Sequence, residues 1–403
     1  MKQRIAGGDT AAPYLHEEII RQILKRLPVK SLIRFQCVSE RWKNLIKSPS
    51  FIDEHLHYST HQNPSLLLRK SNGRFKPLQL RLMDSEMHVR EVQNPPLPLR
   101  SLLTFSIVGS CNGLVCAEID GYDKSASSAS FLLWNPATGD VRKIPTTRSS
   151  KHPYESVYVG FGFSTIVNDY KIVQIYDGYD GDMVIEVYSL SIGSWKEIES
   201  ESLKGVSPSD IICNWVTVNG RIFWDAATPE DKEDGVYRTC LILSFDIALE
   251  VFTVIPGPPQ LDVSGGFEFT LSAYDDNKLA IIYVPRVGRP PKYLYSLIHL
   301  WVLEEKGTSS STERWIWTKI YTSNPCPAKF DVPRTMWGNK FVFFCIREPS
   351  LTNESGGEME NRFSLSIITN EGKIFEIPQC YGSWALNHVE SLVPVGNIHF
   401  EEP

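Results

Sequence analysis

A tight-turn dipeptide followed at once by an apolar strand recurs five times along the chain. The dipeptides are Asn112-Gly113, Asn168-Asp169, Asn219-Gly220, Asp276-Asn277 and Gly338-Asn339, at spacings of 51 to 62 residues. Residues of these types favour the positive φ angles that tight hairpin turns require. A repeat of this length indicates an architecture in which one supersecondary unit is used several times.

Each repeat continues with a longer loop, a second apolar strand, a short turn and a closing strand. In the first repeat these strands read FLLWNP and VRKIP, joined by ATGD. Four antiparallel strands per repeat are typical of a β-propeller blade. We therefore expect blades at 104–146, 157–199, 211–256, 267–321 and 330–378.

A sixth blade can be assembled from both ends of the repeat region. Residues 65–92 supply three strands, and the C-terminal stretch NHVESLVPV, residues 387–395, supplies a fourth. Pairing the two ends in one blade would close the ring and remove its exposed edges. The expected fold is mainly β, a propeller of about six blades preceded by three short helices.

Composition agrees with a mainly β fold, and the charge distribution argues against a nucleic-acid partner. Ten Trp, sixteen Tyr and nineteen Phe with 26 Gly and 26 Pro favour short strands and many turns. Residues 1–57 hold ten Lys and Arg against six Asp and Glu, whereas the remainder holds 31 against 41. Because nucleic-acid binding needs clustered basic residues, the acidic body predicts no nucleic-acid partner.

Cysteine usage and hydropathy predict a protein of the cytoplasm, the nucleus or both. The stretch 1–13 lacks the apolar core of a signal peptide, and the densest apolar run, FVFFCI at 341–346, is too short to span a bilayer. Eight scattered cysteines contain no Cys-x-x-Cys pair. Free buried thiols are therefore expected, with no disulfide, metal site, cofactor or membrane partner.

The N-terminal part differs from the rest because its apolar residues have helical spacing. A first helix is predicted from Leu15 to Leu27, ending before Pro28, with a second over 30–36 and a third capped by Ser39. Three such short helices cannot bury all their apolar side chains among themselves. Either the body of the same chain or a partner protein must cover the surplus.

The run LHEEIIRQILKRLPVKSLIRFQCVSERWKNLIKSPSFIDEHL resembles the F-box of plants. The body resembles the F-box-associated, kelch-like domain through GSCNGL at 109–114, WNPATG at 134–139, GFGF at 160–163, DYKIV at 169–173 and VESLV at 389–393. This resemblance implies that the helices bind a Skp-type adaptor, which connects the protein to a cullin ubiquitin ligase, the SCF complex. It implies a non-catalytic receptor whose propeller binds a target protein.

The resemblance also implies boundaries and adaptor-facing residues. The expected segments are a flexible N-terminus (1–12), the F-box (13–57), the kelch-like propeller (58–395) and a C-terminal tail (396–403). The expected adaptor-facing residues are Leu15, Ile19, Ile23, Leu24, Leu27, Pro28, Val29, Leu32, Cys37, Val38, Trp42 and Leu45. His16 stands where the family usually has proline, so the first helix is expected to start less firmly.

Target binding is assigned to the longer loops, which antiparallel geometry places on one rim of the propeller. The candidate loops are 120–130, 147–156, 177–183, 201–210, 226–238, 257–266, 285–293 and 348–361. Candidate target-binding residues on them are Tyr122, Tyr154, Tyr179, Tyr237 and Arg289. Two alternatives stay open: an adaptor-binding regulator that delivers nothing for degradation, and a propeller enzyme.

Overall fold

The structure is a computed structural model of the chain. It describes residues 15–396 apart from 71–78, 92–104, 120–129, 146–153, 179–182, 200–202, 204–205, 209–214, 233–234, 260, 262–268, 276, 290–291, 306–314, 326–329, 347–362, 370–371 and 378–384. Within the described residues, four helices precede 27 strands, which form six sheets of four or five strands and one two-stranded sheet.

The helices α1 to α4 span Glu17–Leu24, Val29–Phe35, Glu40–Lys47 and Pro49–Gln62. The three predicted helices are present, and α4 was not predicted. Its start is encoded locally: the Ser48 hydroxyl accepts a hydrogen bond from the Phe51 amide at 3.3 Å, and Pro49 follows. Proline suits the first helical position because its missing N–H would have no partner there.

The strands follow the expected blade order. The ring-closing blade, blade 6, contains β1 (Ser65–Lys70), β2 (Gln79–Met83), β3 (Val89–Glu91) and the last strand, β27 (Ala385–His388). Blade 1 contains β4 (Phe105–Cys111), β5 (Leu114–Ile119), β6 (Ser130–Trp134) and β7 (Val141–Ile144). Blade 2 contains β8 (Tyr154–Ser164), β9 (Asp169–Gly178), β10 (Met183–Ser189) and β11 (Ser194–Ile198).

The second half of the ring carries two additions to the four-stranded plan. Blade 3 contains β12 (Ser207–Pro208), β13 (Trp215–Val218), β14 (Arg221–Lys232), β15 (Gly235–Asp246) and β16 (Val251–Pro256). Blade 4 contains β17 (Phe269–Tyr274), β18 (Lys278–Tyr283), β21 (His299–Glu305) and β22 (Trp315–Thr322), with a hairpin of β19 (Arg286–Arg289) and β20 (Lys292–Ser296) inserted. Blade 5 contains β23 (Phe330–Trp337), β24 (Lys340–Ile346), β25 (Phe363–Thr369) and β26 (Ile374–Ile377).

The six sheets form a closed ring. The inner strands contact each other in the cyclic order β27, β4, β8, β13, β17, β23 and back to β27. Every pair of neighbouring blades shares an apolar cluster, so both faces of each sheet are covered. The predicted six-bladed propeller, closed by pairing β27 with β1, is confirmed.

Two of the turn dipeptides have both residues at the positive φ angles that the repeat predicts. Asn112 and Gly113 have φ angles of 51° and 81°, and Asn219 and Gly220 have 47° and 72°. Two successive positive φ angles give a turn whose twist matches that of the flanking strands. Each turn therefore joins an inner strand to the next strand of its blade.

Polar side chains connect neighbouring inner strands around the ring. The Thr217 hydroxyl donates to the Phe161 carbonyl at 2.7 Å, and the Met336 amide donates to the Ser272 hydroxyl at 2.9 Å. The Asn387 amide nitrogen donates to the Met336 carbonyl at 2.8 Å. These bonds satisfy buried backbone groups that the blade's own ladder leaves free.

Tryptophans of outer strands connect blades at the periphery. The indole nitrogen of Trp195 in β11 donates to the Pro145 carbonyl at 2.6 Å, from blade 2 to blade 1. Trp317 in β22 makes the same bond to the Pro256 carbonyl at 2.7 Å, from blade 4 to blade 3. The aromatic residue of the closing strand therefore contributes a directional bond as well as apolar area.

Two sequence expectations are wrong in detail. The C-terminal strand was placed at 387–395, but β27 ends at His388, and the following residues cross the turns of blade 1. The loops expected at 226–238 and 285–293 are largely hairpins, formed by β14 with β15 and by β19 with β20. A continuous polar run in the first stretch and three prolines in the second concealed these hairpins in the sequence.

None of the described helices is both long enough and apolar enough to cross a membrane, and α4, the longest, has 14 residues.

Candidate functional site

The helical module, α1 to α4, has a compact core of its own. Leu24, Val29, Leu32, Ile46 and Phe51 are at most 1% exposed and pack in one cluster. Three of them, Leu24, Val29 and Leu32, were expected to face an adaptor, and the structure corrects this because side chains so completely buried cannot contact a partner. Helical periodicity identifies an apolar face but does not say which of its residues the neighbouring helices cover.

A line of apolar side chains remains on the surface of this module. Leu15, which precedes α1, and Ile19 and Ile23 within it follow one another at four-residue spacing, with exposed fractions of 50%, 50% and 49%. Val38, in the connection between α2 and α3, is 61% exposed. Large aliphatic side chains so exposed and so aligned indicate a surface that a partner covers. We call these four residues the apolar stripe.

The other expected adaptor-facing residues lie near this surface or below it. Pro28 and Cys37 are exposed, and the Cys37 thiol is free. Leu27, Trp42 and Leu45 are half-buried because they pack against the core of the module. The role of these five residues in adaptor binding stays a prediction.

The first helix starts at Glu17 without a proline. His16 is its N-cap, and its Nδ1 atom accepts a hydrogen bond from the Glu18 amide at 3.4 Å. Arg21 donates to the Glu54 carboxylate at 2.8 Å, which raises the pKa of Arg21 and lowers that of Glu54. Arg41 pairs with Glu17 at 2.8 Å. The stripe is therefore presented on a helix that two other helices hold in place.

The module is packed directly against the propeller. Leu392, which follows β27 in the chain, is 7% exposed and belongs to the same cluster as Leu24 and Val29, and Ala137 of blade 1 packs beside it. The body of the chain thus covers one side of the module, as the first alternative expected, and the stripe stays exposed on another side.

The segment that carries Leu392 is fixed to blade 1 by hydrogen bonds. The Asn135 amide nitrogen donates to the carbonyls of Ser391 and Val393, at 3.0 and 2.8 Å. The Ser391 hydroxyl donates to the Asn112 carbonyl at 2.7 Å. A Cβ atom at Gly113 would lie 2.3 Å from that hydroxyl oxygen, so glycine is required there for the segment to approach. The VESLV motif at 389–393 marked this segment in the sequence. Its contacts with blade 1 and with the helical module were not predicted.

Helix α4 completes the connection. His55 is 2% exposed, and its Nε2 atom lies 3.0 Å from the Leu27 carbonyl. Burial lowers the pKa of His55, so the neutral ring is favoured inside this contact. Only Asn63 and Pro64 separate α4 from β1. The module and the propeller therefore meet through packed side chains rather than through a flexible linker.

The expected target-binding residues are placed only in part. Tyr122 and Tyr179 lie outside the described residues. Tyr154, Tyr237 and Arg289 were expected on loops, but their backbones belong to β8, β15 and β19, and their side chains lie outside the description. Their role in binding a target stays a prediction.

Thiol and metal chemistry have little support in the described part of the chain. The cysteines described there, Cys37, Cys111, Cys116 and Cys240, are free. Burial raises the pKa of the Cys111 thiol, in the GSCNG motif, to about 12, so the reactive thiolate is strongly disfavoured. Among the described residues, no three His, Cys, Asp or Glu side chains come together as a metal ion requires.

Comparisons with known proteins agree with this geometry. Residues 14–54 match the F-box domain, and residues 65–395 match the F-box associated beta propeller domain. The F-box/kelch-repeat protein At3g23880 of Arabidopsis thaliana is 26% identical over 79% of this chain and 81% of its own length. The F-box protein CPR1 of the same plant is 25% identical over 76% of this chain and 72% of its own.

Coverage of the relatives is not complete. The chain spans 61% of At1g33530, another Arabidopsis thaliana F-box protein, with 28% identity. Among solved structures, the tricorn protease matches 78% of this chain and 31% of its own, with 12% identity and a TM-score of 0.38, which says nothing about activity. Since the propeller match alone covers more than half of the chain, the protein belongs to the family of F-box proteins with an F-box-associated β-propeller domain.

Proposed function

We propose that the protein is the substrate-recognition subunit of an SCF-type ubiquitin ligase, active in the cytoplasm, the nucleus or both. The helical module binds a Skp-type adaptor, the adaptor connects it to a cullin, and the propeller binds a target protein. The observation that carries this proposal is the apolar stripe of Leu15, Ile19, Ile23 and Val38, exposed on a module that matches the F-box domain.

The chain's contribution to ubiquitin transfer would be positional. No covalent step takes place on it. Holding a target near a ubiquitin carrier replaces a bimolecular encounter by a local one, and a fixed geometry makes the effective concentration high. The packing of Leu392 into the module and the short connection after α4 support such a fixed geometry.

The positive charge of the N-terminal part of the chain also supports a Skp-type adaptor as the partner. Residues 1–57 carry four more basic than acidic residues. The resemblance to the F-box family implies an adaptor whose binding surface is acidic. The basic module and such an adaptor would attract each other. Such complementarity raises the association rate more than it deepens the affinity.

The test is capture of a purified Skp-type adaptor by the full chain. Ile19→Asp with Ile23→Asp places two charges in the stripe without touching the core, and we expect binding at least about tenfold weaker. Ile166→Asp with Ile192→Asp is the matched control, because both are exposed isoleucines of blade 2. Undiminished adaptor capture by the folded stripe variant would contradict the proposal.

The stripe variant is preferable to substitution of Leu27 and Pro28. Replacing both by alanine is also expected to abolish adaptor capture, but Leu27 packs against the module core. Ubiquitination of a bound target, measured with wild-type chain and with the stripe variant, separates a degradative receptor from an adaptor-binding regulator. A regulator would bind the adaptor and its target without supporting ubiquitin transfer.

A further inference from the structure

A crevice of about 490 Å³ opens between blades 4 and 5, beside the turns that follow their inner strands. It lies at Asp275, which follows β17, and at the turn Gly338–Asn339, and not at the connections expected to bind a target. Its size is in the range of sites that take a small molecule or a single inserted side chain.

The walls of the crevice are aromatic and aliphatic. Tyr274 and Tyr321 line it from blade 4, and Phe341 and Met336 line it from blade 5. The rings of Tyr321 and Phe341 lie with centroids 5.5 Å apart at 29°. Flat aromatic faces carry partial negative charge and attract a cation placed over them.

The charge at the crevice is negative. Among the described lining residues, Asp275 is the charged one. Asn387 also lines the crevice, and because its amide nitrogen is used by the Met336 carbonyl, its side-chain oxygen is left as an acceptor. The polar groups offered to a ligand are thus a carboxylate and an amide oxygen, both of which accept hydrogen bonds.

The lysines nearest to this charge also have other partners. Lys278, the cross-strand partner of Tyr274, donates to the Glu304 carboxylate at 3.0 Å, and Glu304 raises the pKa of Lys278 more than Asp275 does. Lys340 lies 4.7 Å from the ring centroid of Trp337, its cross-strand partner, on the face of blade 5 that packs against blade 6. The main partners of these two lysines are therefore Glu304 and Trp337, not Asp275.

We propose that this crevice binds a basic side chain, an arginine of the target protein, with its guanidinium against the tyrosine rings and paired with Asp275. Arginine fits better than lysine because its planar group stacks on aromatic rings and can bind a carboxylate through two hydrogen bonds. The assignment rests on the proposed function for the identity of the partner, but the recognition chemistry stands on the crevice alone.

The test compares blocked amino acids that differ in charge. Nα-acetyl-arginine amide and its neutral isostere, Nα-acetyl-citrulline amide, are titrated into the full chain at low salt, with binding followed by ligand-observed NMR. We expect the citrulline compound to bind about fivefold more weakly or worse, since it keeps the shape and loses the charge. Equal affinity of the two, or binding of neither, would overturn the proposal.

The variant Asp275→Asn tests whether the arginine compound binds in this crevice. Asp275 has a φ of 51°, which asparagine adopts readily, so the turn should be retained. The variant should bind the arginine compound no better than wild type binds citrulline, whereas Glu197→Gln, an exposed carboxylate of blade 2, should change nothing. Unchanged arginine binding in Asp275→Asn would contradict the assignment, as would tighter binding of free arginine than of the blocked form.

Failure of this proposal and failure of the adaptor proposal are distinguishable. Adaptor capture by Asp275→Asn should equal that of wild type, because the apolar stripe lies on the helical module. Loss of adaptor capture in wild type with arginine binding intact would reject the first proposal and keep the second.

Discussion

The hydroxyl oxygen of Ser110 lies 2.9 Å from Nδ1 of His388, and the two residues are 278 positions apart in the chain. Ser110 belongs to β4 of blade 1, and His388 ends β27 of blade 6, so this contact joins the inner strands where the ring closes. The Ser65 hydroxyl also donates to the His388 carbonyl at 2.8 Å. His388 thus connects the first strand, the last strand and the neighbouring blade.

The closure should be sensitive to acid. Burial, with a smaller contribution from Arg90, lowers the pKa of His388 to about 4, from an ordinary value of 6.5. Because the unfolded chain binds this proton more readily, the contribution to stability is complete above about pH 6.5 and is lost as the pH falls toward 4. The loss approaches on the order of 3 kcal/mol, measurable as the free energy of unfolding in denaturant at several pH values.

Substitution of His388 tests whether this residue causes the pH dependence of stability. His388→Gln should lower stability at pH 7.5 and flatten the dependence between pH 6.5 and 4. His57→Gln, an exposed histidine of α4, should leave the slope unchanged. A wild-type slope in His388→Gln would mean that other groups, such as the buried His55, control the acid response.

Leu392 should determine how firmly the helical module is held. Leu392→Ala removes a side chain shared between the module core and the propeller, at an expected cost of about 2 to 3 kcal/mol. Amides of α1 to α4 should exchange hydrogen faster, while those of blades 2 to 5 keep their protection. Leu249→Ala, at an exposed turn of blade 3, is the control. Unchanged exchange in the helices would show that α4 alone holds the module.

The turns of this fold are specified by neighbouring residues, whereas the contact between the helical module and the propeller is not. The turn dipeptides could be predicted because Asn112 and Gly113 encode their positive φ angles themselves. The ring closure followed from counting strands. By contrast, Leu392 packs against Leu24 across most of the chain, and nothing in the periodicity of either segment specifies that contact. The stripe was predicted as part of a larger apolar set, and only the packing separated Ile19 from Val29.

The strained turn between β15 and β16 of blade 3, which pairs with lysines of blade 2, offers a further test. Glu250 has a φ of 57° at the position where other blades have Gly139, Gly193 and Gly372, all with positive φ. Its carboxylate pairs with Lys171 and Lys196, and Lys171 also donates to the Ile247 carbonyl at 2.8 Å. Burial opposes ionisation of this carboxyl, but the two lysines together lower its pKa. The ion pairs thus account for a residue whose backbone would favour glycine.

Glu250→Gly should relieve about 1 kcal/mol of backbone strain but leave the Lys171 ammonium, 7% exposed, without its carboxylate. Because an unpaired buried charge costs about 3 to 5 kcal/mol, the variant should be less stable than wild type by roughly 2 to 4 kcal/mol. Adding Lys171→Met should restore most of that loss, since the charge and its desolvation are removed together. Denaturant unfolding of wild type, both single variants and the double variant gives the coupling energy directly. A double variant as unstable as the sum of the single ones would show that the pair does not stabilise this turn.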